Sequence, residues 1–125
     1  MKAIHSQNAP QPIGPYSQAI ESAGFVFCSG QIAIVPSEGT LLAGDARAQA
    51  EQVLGNLGEV LRAAGLSYAD VVKTTIFLVD MNDFPAVNAA YISAFAETKP
   101  ARSTVAVASL PLGAKVEIDA IAIRP

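Results

Sequence analysis

Two charged residues of the sequence lie where a binding cleft could use them. Arg102 follows Pro100 and Ala101 at the start of a predicted strand, where its guanidinium could grip a carboxylate through two parallel hydrogen bonds. Glu117 lies among apolar residues of the last predicted strand, where burial would raise its pKa and prepare it to move a proton. Each has a more ordinary alternative, which is a surface arginine or an ion pair with Glu97 for Arg102, and contact with solvent for Glu117.

Four uncharged residues form a second group of candidates. Tyr16 follows a loop rich in proline and glycine, and Ser29 and Gly30 lie where another predicted strand ends. A hydroxyl group and a bare glycine backbone could approach a ligand there, although turn formation is the more frequent role of such residues. Asn88 falls on the apolar face of the second predicted helix, so its amide must find a partner, either in a loop or in a pocket.

Several kinds of catalytic or binding site lack their usual residues. His5 is the only histidine, so a Ser-His or Cys-His pair would depend on one residue near the chain terminus. Cys28 is the only cysteine, which excludes an internal disulfide and a cysteine-rich metal site and is typical of a small buried side chain. The sequence has no phosphate-binding loop and no dinucleotide motif. Eight basic residues, scattered among eleven acidic ones, argue against nucleic acid as a partner.

The elements that must position these residues follow from hydrophobic spacing and turn signals. A chain of 125 residues is predicted to form one domain, residues 1–125. Six segments have the apolar and β-branched pattern of strands. They are Lys2–His5, Tyr16–Glu21, Phe25–Ser29, Val71–Val79, Ser103–Ala108 and Lys115–Ile123, with a three-residue hairpin connection at Ser22–Gly24.

Two helices are predicted between these strands. Apolar residues at helical spacing follow Asp45, whose carboxylate can cap the first turn, and end at Gly65. Gly55 and Gly58 inside this helix each cost about 1 kcal/mol relative to alanine, which predicts a close neighbour on that side. The second helix is predicted to begin shortly before Pro85, because proline fits the first turn of a helix.

The order of the elements predicts an α+β architecture with a six-stranded mixed sheet and two helices on one face. The strand, helix and strand in the second half predict a parallel, right-handed crossover. A domain of this size buries only about two thirds of the surface of its unfolded chain. Because 51% of the residues are hydrophobic, we predict that other copies of the chain cover the open face of the sheet in a homo-oligomer.

No membrane association and a cytoplasmic location are expected. The sequence contains no apolar stretch close to the roughly 18 residues that a membrane span needs. The segment Met1–Asn8 lacks the apolar core of a secretory signal.

Five segments, taken in order, resemble the Rid proteins, the reactive intermediate imine deaminases, and are most similar to the RidA branch. The segments are Gly14–Ala19, Ser29–Gln31, Asn88 with Tyr91, Pro100–Ser103, and Leu110-Pro111 ahead of Val116–Ile118. The resemblance implies a fold like the Bacillus type of chorismate mutase, in a homotrimer whose sheets line an inner barrel and whose three clefts lie between subunits. It also implies hydrolysis of 2-iminobutanoate and 2-iminopropanoate, released by pyridoxal-phosphate dehydratases, to 2-oxo acids and ammonia, with no cofactor and no metal.

The resemblance also implies roles for the candidate residues. By position, Arg102 would hold the substrate carboxylate and Glu117 would order the attacking water. Four residues would line the pocket, namely Tyr16, Ser29, Gly30 and Asn88. Thr104 stands where RidA proteins often have cysteine; its backbone amide would contact the ligand, whereas any trait that depends on the thiol would be lost.

Other functions stay open at this stage. The same clefts could serve a chaperone-like trimer or one that binds small carboxylates, and a related hydrolase could act on another enamine. RNA cleavage, which is also attached to members of this family, is disfavoured by the net charge of −3 and by the absence of a basic stripe.

Overall fold

The computed structural model describes residues 1–125 and contains one large sheet, one small two-stranded ribbon and two α-helices. The elements, in chain order, are β1 (Lys2–Ile4), β2 (Ala19–Ser22), β3 (Phe25–Gln31), β4 (Ile34–Val35), β5 (Thr40–Leu41), α1 (Ala46–Ala63), β6 (Val71–Leu78), α2 (Phe84–Phe95), β7 (Ala101–Ala106) and β8 (Val116–Ile123). The six-stranded sheet has the order β1-β2-β3-β8-β6-β7, and β4 pairs with β5. Only β6 and β7 are parallel. The mixed sheet, the two helices and the parallel crossover are thus confirmed.

The first helix begins and ends for the reasons that its sequence indicates. The carboxylate of Asp45 accepts a hydrogen bond of 2.8 Å from the backbone N–H of Ala48, which satisfies one free donor of the first turn. Gly65 follows the helix with a φ of 75°, a conformation that glycine adopts without strain. The apolar side of α1, which includes Val53, Leu57 and several neighbours, is fully buried against the sheet.

The two glycines inside α1 have different surroundings. A Cβ atom on Gly58 would lie 2.7 Å from the hydroxyl of Tyr68, whose ring packs against the helix at that point. A Cβ atom on Gly55 would meet nothing within 4 Å. The predicted close neighbour is therefore confirmed at Gly58 and wrong at Gly55.

The sheet has a helix face and an open face, which alternate along each strand. On β8 the residues Val116 and Ile118 are fully buried beneath the helices, and Glu117 and Asp119 point to the other side and are half-buried. The open face also carries Phe27, which remains 46% exposed. Most of the core therefore lies between the helices and one side of the sheet.

Several predicted boundaries differ from the structure by one to three residues, including the end of β3, which lies at Gln31 instead of Ser29. Strand β2 begins at Ala19 instead of Tyr16, because the backbone N–H of Tyr16 turns back to Gly14 and the Gln18 side chain is buried among loop backbone groups. The hairpin connection has two residues, Ala23 and Gly24, with φ values of 54° and 81°, which suits the twist of the flanking strands. Strand β7 covers residues 101–106 instead of 103–108. None of the helices combines the length and the hydrophobicity that a membrane span requires.

Candidate functional site

Arg102 and Glu117 lie on opposite faces of the sheet. Arg102 on β7 pairs with Thr74 of β6, and Glu117 on β8 pairs with Phe77 of the same strand. Thr74 and Phe77 are three positions apart, so their side chains point to opposite sides. The Thr74 hydroxyl lies 2.7 Å from the hydroxyl of Tyr91 on α2, which identifies its side as the helix face. Arg102 is therefore on the helix face, and Glu117 is on the open face.

The Arg102 guanidinium is held by three side chains of α2, which with Arg102 we call the Arg102 cage. Its Nη1 donates a hydrogen bond of 2.7 Å to Oδ1 of Asn88. Its Cζ atom lies 4.8 Å from the ring centroid of Tyr91 and 5.2 Å from that of Phe84, within the range of cation–π attraction. The cage fixes the direction of the guanidinium and leaves its other N–H groups free to bind an anion.

Arg102 forms no ion pair with Glu97, which removes that alternative, whereas the other alternative, a surface arginine, agrees with its exposed position on β7. The three ion pairs of the chain join Arg47 to Glu51, Arg62 to Glu59 and Arg124 to Glu21. The sequence left two alternatives for the partner of the Asn88 amide, a loop or a pocket. In the structure this amide contacts Arg102 at the edge of a cavity of about 550 Å³. The residues that line this cavity are Asn88, Tyr91, Ile92, Phe95, Ala96, Lys99, Pro100 and Arg102.

Glu117 is half-buried, and its pKa is raised above the usual value of a glutamate. The larger cause is burial, which disfavours the charged carboxylate. The second cause is the negative charge of Asp119, two residues along the same strand and on the same face. Contact with solvent, the alternative for Glu117, is therefore only partial, and the raised pKa makes this carboxyl group a better proton acceptor than an exposed glutamate.

A bulge in the sheet makes the space that the Glu117 side chain occupies. Cys28 pairs with Ala120 and Gln31 pairs with Ile118, so Ser29 and Gly30 both stand opposite Asp119. A Cβ atom on Gly30 would lie 2.2 Å from Oε2 of Glu117, so only glycine leaves room for this carboxyl position. The Ser29 hydroxyl donates a hydrogen bond of 2.6 Å to the backbone oxygen of Ser17 and ties the Tyr16 loop to β3.

Glu117 lies at the wall of a second cavity, of about 500 Å³, which we call the Glu117 cavity. Tyr16, Ser29 and Gly30 line it too, so four of the candidate residues meet here. Its other lining residues are Pro10, Gln11, Ile13, Gln18, Gln31, Ile32, Ile34, Pro111 and Leu112. Asn88 and Arg102 belong to the first cavity, and Thr104, which faces the helix side beside Ile76, lines neither.

Sequence reasoning missed the aromatic part of the Arg102 cage. Phe84 and Tyr91 lie four residues before and three residues after Asn88, and this helical spacing was the available signal that the three side chains share a face of α2. The sequence did not show that this face would meet Arg102. No group of three or more His, Cys, Asp or Glu side chains is placed so that it could hold a metal ion.

Comparisons with known proteins agree with the resemblance seen in the sequence. Residues 6–124 match the family model described as endoribonuclease L-PSP. A RutC family protein of Synechocystis is 54% identical over 100% of this chain and 98% of its own length. The 2-iminobutanoate/2-iminopropanoate deaminase of Mus musculus is 48% identical over 98% of this chain and 91% of its own length.

Solved structures of the same group superpose closely on the chain. The structure of E. coli TdcF with bound serine has a TM-score of 0.94, with 43% identity and full coverage of both chains. RidA from an Antarctic Psychrobacter also has a TM-score of 0.94, with 40% identity over 98% of this chain and 99% of the other. The fold is therefore of the chorismate-mutase-like type, as the resemblance implied.

Proposed function

Because the chain belongs to the Rid group of the endoribonuclease L-PSP family, we propose that it is an imine deaminase. It hydrolyses 2-iminobutanoate and 2-iminopropanoate to 2-oxo acids and ammonia. The observation that carries this proposal is the Arg102 cage, which holds a guanidinium without an acidic partner in a fixed direction beside a cavity. The name of the mouse relative and the serine bound to TdcF support a small amino-acid-like substrate.

Arg102 binds the substrate carboxylate in this proposal. A guanidinium presents two parallel N–H groups that match the two oxygens of a carboxylate, which a lysine cannot do. Asn88 and the two rings of the cage already restrict the Arg102 side chain, so it loses less conformational entropy when the substrate binds. The affinity for the substrate is therefore higher. Oδ1 of Asn88 accepts a hydrogen bond from Arg102, so Asn88 lies beside the bound carboxylate.

Glu117 handles the proton of the attacking water. Water adds to C2 of the protonated imine, so a C–O bond forms and the π electron pair of the C=N bond moves to nitrogen. Glu117 takes a proton from the added water and returns it to that nitrogen. The C–N bond then breaks with its electron pair going to nitrogen, the remaining hydroxyl forms the C=O bond, and its proton passes to the departing ammonia. One protonated imine and one water thus give one 2-oxo acid and one ammonium ion. Because the iminium carbon is already electrophilic, orientation of water suffices, and no cofactor or metal is required.

In this proposal the two parts of the site come from different copies of the chain. Arg102 and Glu117 lie on opposite sides of the sheet, so one small substrate cannot reach both within one chain. We propose the homotrimer that the resemblance implies, with each site at a boundary between two subunits. The exposed apolar residues of the open face, among them Phe25, Phe27 and Ile123, support association on that side.

The remaining candidates have positioning and binding roles in this proposal. Tyr16 and the backbone of Gly30 contact the substrate beside Glu117, and Ser29 fixes the Tyr16 loop by its bond to Ser17. Thr104 contributes its backbone amide after the subunits associate.

The test is release of 2-oxobutanoate from an imine generated in place by a threonine dehydratase. The parent chain is expected to accelerate this release above the spontaneous rate, and Arg102→Ala to lower kcat/KM by about 100-fold or more, because the bidentate charged contact is lost. Arg47→Ala, which removes an exposed arginine outside both cavities, is the matched control and should behave like the parent. Equal activity of Arg102→Ala and the parent would refute the assignment. Binding of 2-oxo acids without any turnover would indicate a carboxylate-binding protein instead.

A further inference from the structure

The edge of the Glu117 cavity is apolar in a way that water activation does not explain. Four aliphatic residues line it, namely Ile13, Ile32, Ile34 and Leu112, and we call them the aliphatic rim. Ile13 is 82% exposed and Leu112 is 65% exposed in the chain. Single exposed apolar residues are common on protein surfaces, but a group of them around one cavity marks a surface that binds something apolar.

Leu112 has a backbone conformation that its residue type disfavours. Its φ and ψ are 58° and 19°, in the left-handed region, where a bulky side chain is rare and the backbone is strained. Glycine would adopt this conformation without strain, and Gly113 beside it does so with a φ of 71°. The chain therefore carries an exposed leucine at a strained position, next to the cavity that contains Glu117.

Three of the six polar side chains that line the same cavity, those of Gln11, Gln18 and Ser29, are bonded to the backbone of the chain itself. The Gln18 amide bonds to the backbone of Ser6 and Pro10, and the Gln11 amide donates to the backbone oxygens of Ser6 and Ala9. A polar ligand group buried against the four aliphatic residues of the rim would lose its hydrogen bonds to water. The aliphatic rim is therefore expected to bind an apolar ligand side chain more tightly than a polar one.

We propose that Leu112 and the aliphatic rim bind the substrate side chain and select 2-imino acids with long or branched aliphatic side chains. This inference rests on the proposed function, since it concerns the substrate of the same site. Because the rim residues and Glu117 line the same cavity, the side chain of a substrate bound beside Glu117 would contact the rim. Each additional buried methylene group would favour the larger substrate by about 0.8 kcal/mol, or about fourfold in kcat/KM.

The experiment compares two imines on the full-length chain. An amino-acid oxidase generates 2-iminopropanoate from alanine and 2-imino-4-methylpentanoate from leucine, and the release of each 2-oxo acid is measured above its spontaneous rate. The parent is expected to prefer the leucine-derived imine by about tenfold or more in kcat/KM.

Two variants isolate the contribution of Leu112. Leu112→Asn keeps nearly the same size and suits the left-handed backbone, so it should fold, but it places a polar group on the rim. It is expected to lower the ratio of the two kcat/KM values by about three- to tenfold. Leu112→Met keeps an apolar side chain of similar volume and should keep the ratio within about twofold of the parent.

The outcomes separate this inference from the function on which it rests. If the parent hydrolyses neither imine, the proposed function fails. If it hydrolyses both with equal kcat/KM, or if Leu112→Asn leaves the ratio unchanged, deaminase activity stands and selection by Leu112 is refuted. If Leu112→Asn lowers both kcat/KM values by the same factor and changes the oligomeric state in solution, the rim is a contact between copies, which also refutes its role in selection.

Discussion

The Arg102 cage and the surroundings of Glu117 prepare a charged group in opposite ways. The cage surrounds Arg102 with groups that contact it, namely a hydrogen bond from Arg102 to Asn88 and the rings of Phe84 and Tyr91. Glu117 instead occupies a space that its neighbours leave empty. The bulge in β3 creates this space, and Gly30 keeps it open for the carboxyl group because glycine has no side chain. A group that binds a ligand gives higher affinity when contacts fix its orientation, because less conformational entropy is lost on binding. A carboxyl group that accepts a proton is a stronger base when burial raises its pKa.

This difference predicts which substitutions do damage on each side. Removing atoms from the cage should loosen Arg102 and weaken substrate binding. Adding atoms beside Glu117 should displace the carboxyl group and slow the chemical step. Measuring KM and kcat separately therefore distinguishes weaker binding at the Arg102 cage from a slower chemical step at Glu117.

The largest effect is expected for Glu117→Gln. This variant keeps the size of the side chain but cannot take a proton, so kcat should fall by about 100- to 10,000-fold while KM changes little. Steady-state kinetics with 2-iminobutanoate measure both constants, and circular dichroism shows that the fold is retained. A fall confined to KM would assign Glu117 to binding and remove the contrast between the two regions.

The next effect is expected for Gly30→Ala, which adds one methyl group beside Glu117. Because the new Cβ would lie 2.2 Å from Oε2, the carboxyl group must move, and kcat should fall by about tenfold or more. Gly55→Ala is the matched control, since its Cβ meets nothing within 4 Å. It should leave kcat unchanged and raise the free energy of unfolding by up to about 1 kcal/mol. Unchanged kcat in Gly30→Ala would mean that the position of the carboxyl group does not matter.

A smaller effect, this time on KM, is expected when the cage loses a ring. Tyr91→Leu removes the cation–π contact and the bond to Thr74, and it should raise KM by about three- to thirtyfold. Tyr91→Phe keeps the ring and loses only the hydroxyl, so its KM should lie closer to that of the parent. If the two variants are equally impaired, the hydroxyl bond and not the ring holds Arg102.

The smallest effect concerns pH. In the proposed mechanism the carboxylate form of Glu117 takes the proton, so activity should be lost as pH falls through the pKa of Glu117. Burial and the charge of Asp119 raise this pKa, so the loss should occur above the usual glutamate range. Asp119→Asn removes the second cause, and the acid limb of the kcat/KM profile should shift to lower pH. Glu38→Gln is the control, because Glu38 is exposed and is not among the causes of the raised Glu117 pKa. This variant should leave the acid limb in place. A shift of the limb to higher pH in Asp119→Asn would contradict this cause.

Much of the fold could be predicted because it depends on local patterns. The cap at Asp45, the stop at Gly65 and the alternation in the last strand are each visible within a few residues. The separation of Arg102 from Glu117 could not be predicted, since it depends on which residue of β6 each of them faces. Helical periodicity likewise identifies Tyr91 as part of an apolar stripe but cannot distinguish a ring in the core from one that also covers a guanidinium.

Mixing two inactive chains tests most directly whether each site combines Arg102 of one copy with Glu117 of another. Arg102→Ala and Glu117→Gln are unfolded together in equal amounts, refolded, and assayed with 2-iminobutanoate against each variant refolded alone. Each site draws its two parts independently, so about one quarter of the sites should be intact and about a quarter of the parent activity should return. If hybrid oligomers form and the activity stays at the level of the separate variants, the two residues do not act in one site between copies.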